Sequence, residues 1–114
     1  MDPASLARKS WTRFVFIRAD ARDATSMWPR LGPGSLILLD RHYNTLRPYR
    51  KNDRNLYAVR KDDSLLVRYL ELSGTTLVLR PHHPDEPIEI LPIEEGKTAS
   101  DLIAGRVAYI SFET

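Results

Sequence analysis

The stretch NLYAVRKDDSLLVRYLEL, residues 55–72, is the clearest structural signal in this chain. Apolar and polar side chains alternate on both sides of Asp62 and Asp63, a pattern typical of two antiparallel strands joined by a tight turn. If these two aspartates form a two-residue turn, Tyr57 lies directly opposite Arg68 in the ladder. The segment therefore predicts a β-hairpin and places Arg68 on its second strand.

The segments around this hairpin are also short, extended and separated by turns. Proline and glycine interrupt the chain repeatedly, and most apolar runs between them have the length of a strand. Residues 19–27, ADARDATSM, are expected to form an irregular polar connection, whereas Asp2 and Pro3 favour a short helix in an N-terminal extension, residues 1–10. The other predicted strands are WTRFVFIR (11–18), LILLD (36–40), TLVLR (76–80), IEILPI (88–93) and LIAGRVAYISFE (102–113).

Length and composition predict a single all-β domain, residues 1–114. A chain of 114 residues is long enough for one core and too short for two. The absence of cysteine excludes disulfides, cysteine-based zinc sites and thiol catalysis, and a net charge of +2 is too small to indicate nucleic-acid binding. Apolar runs fall far short of the roughly 20 residues of a spanning helix, and no signal-like stretch follows the N-terminus. We therefore expect no membrane association and a cytoplasmic location.

Three stretches, taken in order, resemble the peptidase domain of LexA-like and phage-type repressors. The resemblance extends over nearly the whole chain, and it implies a compact domain of short strands with the β-clip-like fold of that family. The three stretches are SMWPRLGPGSLILLD (26–40), the hairpin of residues 55–72, and LVLRPHHPDEPIEI (77–90) followed by IAGRVAYISFE (103–113).

The resemblance also implies a catalytic pair, and this chain departs from it. In the family a serine attacks a peptide carbonyl and a neutral lysine takes its proton. The serine corresponds to Ser26, but Arg68 occupies the lysine position. A guanidinium has a pKa above about 12 and keeps its proton, so Arg68 is not expected to act as a base. The Ala-Gly or Cys-Gly bond at which the family cuts itself is also missing before Ser26, and we expect an inactive domain.

Arg68 is expected to be partly buried. It shares its strand face with Leu66 and Leu70, and a buried guanidinium needs a partner. The Ser26 hydroxyl, a backbone carbonyl or a carboxylate such as that of Asp40 could each serve.

An active self-cleaving serine peptidase that uses another base remains the alternative. Lys61 lies four ladder positions from Arg68, roughly 13 Å at the usual strand rise, and is expected to be too far away to reach the Ser26 hydroxyl. Histidine side chains, and a lysine in a long loop, are the other groups with the chemistry to accept the proton of the serine. These candidates are Lys51, His42, His82 and His83.

Two other segments offer weaker functional hypotheses. The loop RHYNTLRPYRKNDR, residues 41–54, interleaves basic side chains with tyrosines and could contact nucleic-acid phosphates, although a solvated basic loop is the preferred interpretation. The segment HHPDE, residues 82–86, contains metal-ligating residue types. Adjacent residues of an extended chain point to opposite faces, so we expect neither a metal nor a cofactor there.

The resemblance further implies self-association. Domains of this family pair through their terminal strands, so VAYISFE, residues 107–113, is the candidate edge for a homodimer. The expected role is that of a pseudoenzyme, a self-association or regulatory module in transcription or a stress response. The chain shows no helix-turn-helix pattern, so a DNA-binding domain or other protein partner would have to come from elsewhere.

Overall fold

The computed structural model describes residues 13–42, 45–47 and 55–111, and in these ranges the chain is mostly antiparallel sheet, which confirms the all-β prediction. The expected N-terminal helix and most of the 41–54 loop lie outside them. No helix of the described ranges is long and apolar enough to cross a membrane. The elements are β1 (Phe14–Arg18), α1 (Ala21–Ser26), β2 (Leu36–Asp40), β3 (Leu56–Lys61), β4 (Ser64–Ser73), β5 (Thr76–Arg80), β6 (Glu89–Pro92), α2 (Ala99–Leu102) and β7 (Ile103–Ser111).

The strands form one sheet with the order β1-β2-β7-β3-β4-β5-β6, and all neighbours are antiparallel. The β3–β4 hairpin has the predicted register, with Tyr57 opposite Arg68 and Lys61 opposite Ser64. Asp62 has a positive φ of 54°, a left-handed conformation that aspartate adopts more readily than most residues. The two-residue turn therefore sets which face of the sheet each hairpin side chain occupies.

The irregular connection predicted for residues 19–27 is wrong, because α1 lies there. Asp20 caps the helix: its backbone is extended and its carboxylate accepts a hydrogen bond from the Asp23 amide at 2.8 Å. Ala24 and the following Met27 are buried. The helix thus has a small apolar face that the polar composition of the segment conceals.

The sheet buries apolar side chains on both faces. Successive strand residues point to opposite sides, so Ala58 and Val67 belong to one cluster, and Tyr57 and Leu66 belong to the other. Arg68, opposite Tyr57, lies on the second side. The first cluster contains Ala19, Met27, Leu31, Ile37, Leu39, Leu56, Ala58, Val67 and Tyr69, and the second contains Tyr57, Val59, Leu66, Leu70, Leu77, Leu79 and Ile103.

The C-terminal strand lies inside the sheet. β7 pairs with β3 between Ile103 and Arg106, and with β2 between Arg106 and Ser111. In these registers Arg106 is therefore paired on both sides, whereas residues 103–105 are paired on the β3 side. Within the described ranges, its second half, residues 107–111, is paired on the β2 side alone.

Candidate functional site

Ser26 is the last residue of α1 and is half-buried beside a cleft of about 430 Å³. Its carbonyl accepts hydrogen bonds from the amides of His82 and His83, both at 3.0 Å, which join the end of the helix to the loop after β5. Its hydroxyl makes no hydrogen bond to another described residue. The described residues that line the cleft are Ala21, Arg22, Thr25, Ser26, Arg68, Glu86, Pro87 and Glu89.

Arg68 lines the same cleft, although its guanidinium is almost completely enclosed. The residue is 2% exposed. Its Nη1 donates to Oδ1 of Asp23 and to the carbonyl of Val67, both at 2.7 Å, and its Nη2 lies 3.6 Å from Oε2 of Glu89. The expected carbonyl and carboxylate partners are both present, but the nearest carboxylate belongs to Asp23. Arg68 and Ser26 therefore line one cleft, and the hydrogen bond of Arg68 to Asp23 joins β4 to α1.

Asp40, the carboxylate named as a possible partner of Arg68, is engaged elsewhere. It accepts two hydrogen bonds from Arg13, at 3.1 Å from Nε and 3.0 Å from Nη2, and a third from the His42 amide. The Arg13 guanidinium holds the pKa of Asp40 below its ordinary value. The expectation that Asp40 could serve Arg68 is thus wrong, since its charge is already matched at the end of β2.

Asp23 is in contact with Arg68 because β5 is shorter than β4. The β4–β5 ladder ends where Tyr69 pairs with Arg80, the last residue of β5. The Val67 amide therefore has no β5 carbonyl to bind, since alternate residues of a strand present their N–H groups to the same neighbour. Oδ1 of Asp23 accepts from this amide at 3.1 Å. One carboxylate thus caps the open end of the ladder and neutralises the guanidinium.

The Asp23 carboxyl is itself strongly affected by burial. Desolvation raises its pKa above the ordinary value, while the hydrogen bonds from the Val67 amide and Arg68 oppose that rise. A guanidinium group keeps its proton at all working pH values. The two side chains therefore form a buried ion pair in which the contact with Arg68 favours the ionised form of Asp23.

Glu89 of β6 brings together three cations. Lys61 Nζ lies 3.2 Å and Arg22 Nη2 3.3 Å from Oε1, and Arg68 approaches Oε2. Burial raises the pKa of Glu89, but the hydrogen bond and charge of Lys61, with the charges of Arg68 and Arg22, outweigh it and leave the pKa below its ordinary value. Lys61, which is expected to be too far from the Ser26 hydroxyl to act on it, is not among the described residues that line the cleft, although it shares the Glu89 carboxylate with Arg68.

The three histidine candidates, His42, His82 and His83, are not among the described residues that line the cleft. Nδ1 of His82 is 2.8 Å from the Tyr69 hydroxyl, and Nδ1 of His83 accepts from the Asp85 amide at 3.2 Å. In the described lining, the basic side chains are those of Arg22 and Arg68. Lys51 lies outside the described ranges.

The remaining sequence hypotheses receive little structural information. No group of three or more His, Cys, Asp or Glu in the described part of the chain could hold a metal ion, and this part includes residues 82–86. In the 41–54 loop, the Tyr57 hydroxyl accepts from the Arg47 amide at 3.2 Å and donates to the Thr45 carbonyl at 3.4 Å. Residues 43–44 and 48–54 lie outside the described ranges, so nucleic-acid contact through this loop stays a prediction.

Among known proteins, no family model and no curated sequence matches this chain. The resemblance to LexA-like domains therefore rests on the three quoted stretches.

Proposed function

We propose that the chain is a degenerate LexA-like serine peptidase domain that does not cut peptides and acts as a self-association or regulatory module in transcription or a stress response. The observation that carries the proposal is the buried Arg68–Asp23 pair, whose arginine lines the same cleft as Ser26. A residue of the wrong chemistry stands where the resemblance requires a base. Ser26 is then a structural residue whose carbonyl holds the loop after β5.

The chemistry of the cleft supports the loss of catalysis. Activation of Ser26 needs a group that can accept its proton near neutral pH. Arg68 cannot, and Asp23 stabilises the positive charge of its guanidinium further. Glu89 is a weak proton acceptor, because neighbouring cations lower its pKa. Neither Arg68 nor Glu89 is therefore suited to take the proton of the Ser26 hydroxyl.

The self-association part of the proposal concerns β7. The resemblance implies a homodimer that pairs through the C-terminal strand. In the described ranges, residues 107–111 retain one side that is not paired with β3, and Tyr109 on this segment is 62% exposed. A second copy could add to that side. A DNA-reading unit or another protein partner would be supplied by another chain or by sequence outside the present one.

The purified protein is expected to keep its full mass during prolonged incubation at alkaline pH. Deprotonation of an amine base would favour self-cleavage under these conditions, but a guanidinium stays protonated. Intact-mass measurement over time tests this, with Ser26→Ala as the matched control. Discrete fragments from the wild type that are missing from Ser26→Ala would contradict the proposal and support an active peptidase with another base.

Arg68→Lys alone is expected not to make Ser26 reactive toward a fluorophosphonate probe. The new ammonium would lie beside the Asp23 carboxylate, which favours its protonated form. Adding Asp23→Asn removes that negative charge, so labelling should rise at least about tenfold over Arg68→Lys, equivalent to a fall of one pKa unit in the lysine. Protein labelling is followed by mass spectrometry, with Ser26→Ala in each background. Strong labelling of Arg68→Lys alone would contradict this prediction, because it would show that Asp23 does not keep the introduced lysine protonated.

A further inference from the structure

The cleft beside Ser26 contains hydrogen-bond donors that no described residue uses. Arg68 binds Asp23 and the Val67 carbonyl through Nη1. Its Nη2 is 3.6 Å from Oε2 of Glu89, which is too long for a hydrogen bond. The hydroxyl of Ser26 has no hydrogen-bond partner among the described residues either. The cleft therefore offers a cationic donor and a hydroxyl donor to a ligand.

The unused nitrogen of Arg68 is open to solvent. In the described part of the chain, each fully buried side-chain nitrogen or oxygen atom has a hydrogen-bond partner. Nη2 of Arg68 has none, so it is not fully buried, although the residue as a whole is 2% exposed. Arg68 lines the cleft, which gives Nη2 its access to water. The ion pair with Asp23 fixes the guanidinium from its other side, so this donor is held in place before a ligand arrives.

The charges beside these donors leave an excess of one positive charge. Arg22, Lys61 and Arg68 surround the carboxylate of Glu89, and Asp23 supplies the second negative charge of the group. Three cations thus face two carboxylates. One further monovalent anion would balance this group, whereas a dianion such as phosphate would reverse its net charge.

A carboxylate has the chemistry that these donors require. Its two oxygens can accept from the guanidinium of Arg68 and from the hydroxyl of Ser26 at the same time, and hydrogen bonds to a charged acceptor are the stronger kind. Arg22, whose side chain is 57% exposed, also lines the cleft and adds positive charge. The volume of about 430 Å³ lies in the range of small-ligand sites.

Glu86 is the group that opposes an anionic ligand. It lines the cleft and has no ion pair in the described ranges. Its negative charge weakens the binding of an anion and strengthens the binding of a cation. Neutralising Glu86 therefore distinguishes these two classes of ligand, because the affinity changes in opposite directions.

We infer that the cleft beside Ser26 binds a carboxylate, supplied either by the end of a peptide chain or by a small organic acid. Nη2 of Arg68 and the Ser26 hydroxyl donate to its two oxygens. This rests on the proposed loss of catalysis, because Ser26 can serve as a binding group only where it does not attack the ligand. The permanent cation that excludes base catalysis is then the group that recognises the ligand.

The test compares two forms of one peptide, N-acetyl-tetra-alanine with a free C-terminal carboxylate and the same peptide with a C-terminal amide. Titration of the full chain, followed by ¹H–¹⁵N NMR at fixed ionic strength, measures both dissociation constants. The acid should bind at least about tenfold more tightly, because the amide loses the charge of the acceptor. Sodium acetate is the third probe: affinity equal to that of the acid assigns the site to small organic acids, and weaker affinity assigns it to a chain end.

Two substitutions in the cleft leave the Arg68–Asp23 pair intact. Ser26→Ala removes one donor and should weaken binding of the acid at least about fivefold. Glu86→Gln removes the opposing charge and should tighten binding about two- to threefold. Glu95→Gln is the matched control, because it makes the same change of charge at an exposed residue outside the cleft lining and should leave the affinity unchanged. Far-UV circular dichroism checks that each variant is folded.

The possible results separate carboxylate binding from the loss of catalysis. Equal binding of the acid and the amide, or no binding of the acid, overturns carboxylate recognition and leaves the proposed loss of catalysis intact. Weaker binding of the acid by Glu86→Gln also overturns it, since the cleft would then favour cations. Cleavage of either peptide by the wild type but not by Ser26→Ala, detected by mass spectrometry of the same samples, would instead overturn the proposed function.

Discussion

Arg68→Met should destabilise the protein by about 3–5 kcal/mol at neutral pH, the typical cost of leaving one member of a buried ion pair without its partner. Methionine fills a similar volume, so the loss comes from electrostatics and hydrogen bonding more than from a cavity. Asp23 would lose the guanidinium 2.7 Å away, and the Val67 carbonyl would lose its donor. A domain of this size has roughly 5–15 kcal/mol of stability, so the variant would be close to unfolding. Chemical denaturation measures the change.

The destabilisation should grow with pH. Without Arg68, the folded-state pKa of Asp23 rises further above its unfolded value, because burial is opposed by one hydrogen bond fewer. A carboxyl with a raised folded-state pKa contributes most below its unfolded pKa of about 3.9, and that contribution is lost as the pH rises through the folded value. Arg68→Met should therefore be closer to wild type near pH 4 than at pH 8.

Two further variants test whether the broken buried ion pair causes the destabilisation of Arg68→Met. Asp23→Asn with Arg68→Met keeps an oxygen for the Val67 amide but removes the buried charge, so it should recover part of the stability and abolish the added pH dependence. Arg13→Met breaks a pair in which the arginine side chain is 43% exposed and should cost at most about 1 kcal/mol. Equal losses for Arg13→Met and Arg68→Met would contradict the role of burial.

Gly105→Ala should destabilise the fold by about 1–3 kcal/mol, the usual cost of overpacking a rigid site. A Cβ at this position would lie 2.8 Å from the carbonyl oxygen of Asp40, 3.2 Å from its carbonyl carbon and 3.3 Å from Cα of Arg41. All three atoms are backbone, so no side-chain rotation relieves the clash. The end of β2 would have to separate from β7 at the centre of the sheet. Thermal and chemical unfolding measure the loss.

Ala108→Ser is the control for Gly105→Ala. It also adds one heavy atom to β7, but at an exposed position, and it should change stability by less than about 0.5 kcal/mol. If Gly105→Ala were as stable as this control, the close approach of β2 to β7 at Gly105 would not be a constraint on the fold.

The local elements of this fold were largely predictable. The alternation of Leu56–Lys61 and Ser64–Ser73 about a two-residue turn predicted the strands, their register and the pairing of Tyr57 with Arg68, all of which are confirmed. These features depend on backbone geometry and on neighbours a few residues away, which the sequence displays directly. α1 was missed, although the Asp20 cap three residues before Asp23 carried a readable signal.

The chemistry around Arg68 was predictable only in part. That arginine cannot replace a neutral lysine follows from its pKa alone. The identity of its partner did not follow, since Asp23 is 45 residues away and reaches Arg68 only because β5 ends early and α1 covers the exposed end of the ladder. Glu89 was missed for the same reason: it lies 28 residues from Lys61 in the sequence, and their contact forms only in the tertiary structure.

The sequence by itself thus determined the strand pattern, the hairpin register and the presence of a permanent cation at residue 68. The tertiary structure alone decided that this cation is buried against Asp23, that β7 lies inside the sheet and that β1 is left at its edge. Alternation specifies which face of a strand is buried, but it does not specify the neighbouring strand. Strand order and ion-pair partners depend on contacts between distant segments, which form only when the whole core is assembled.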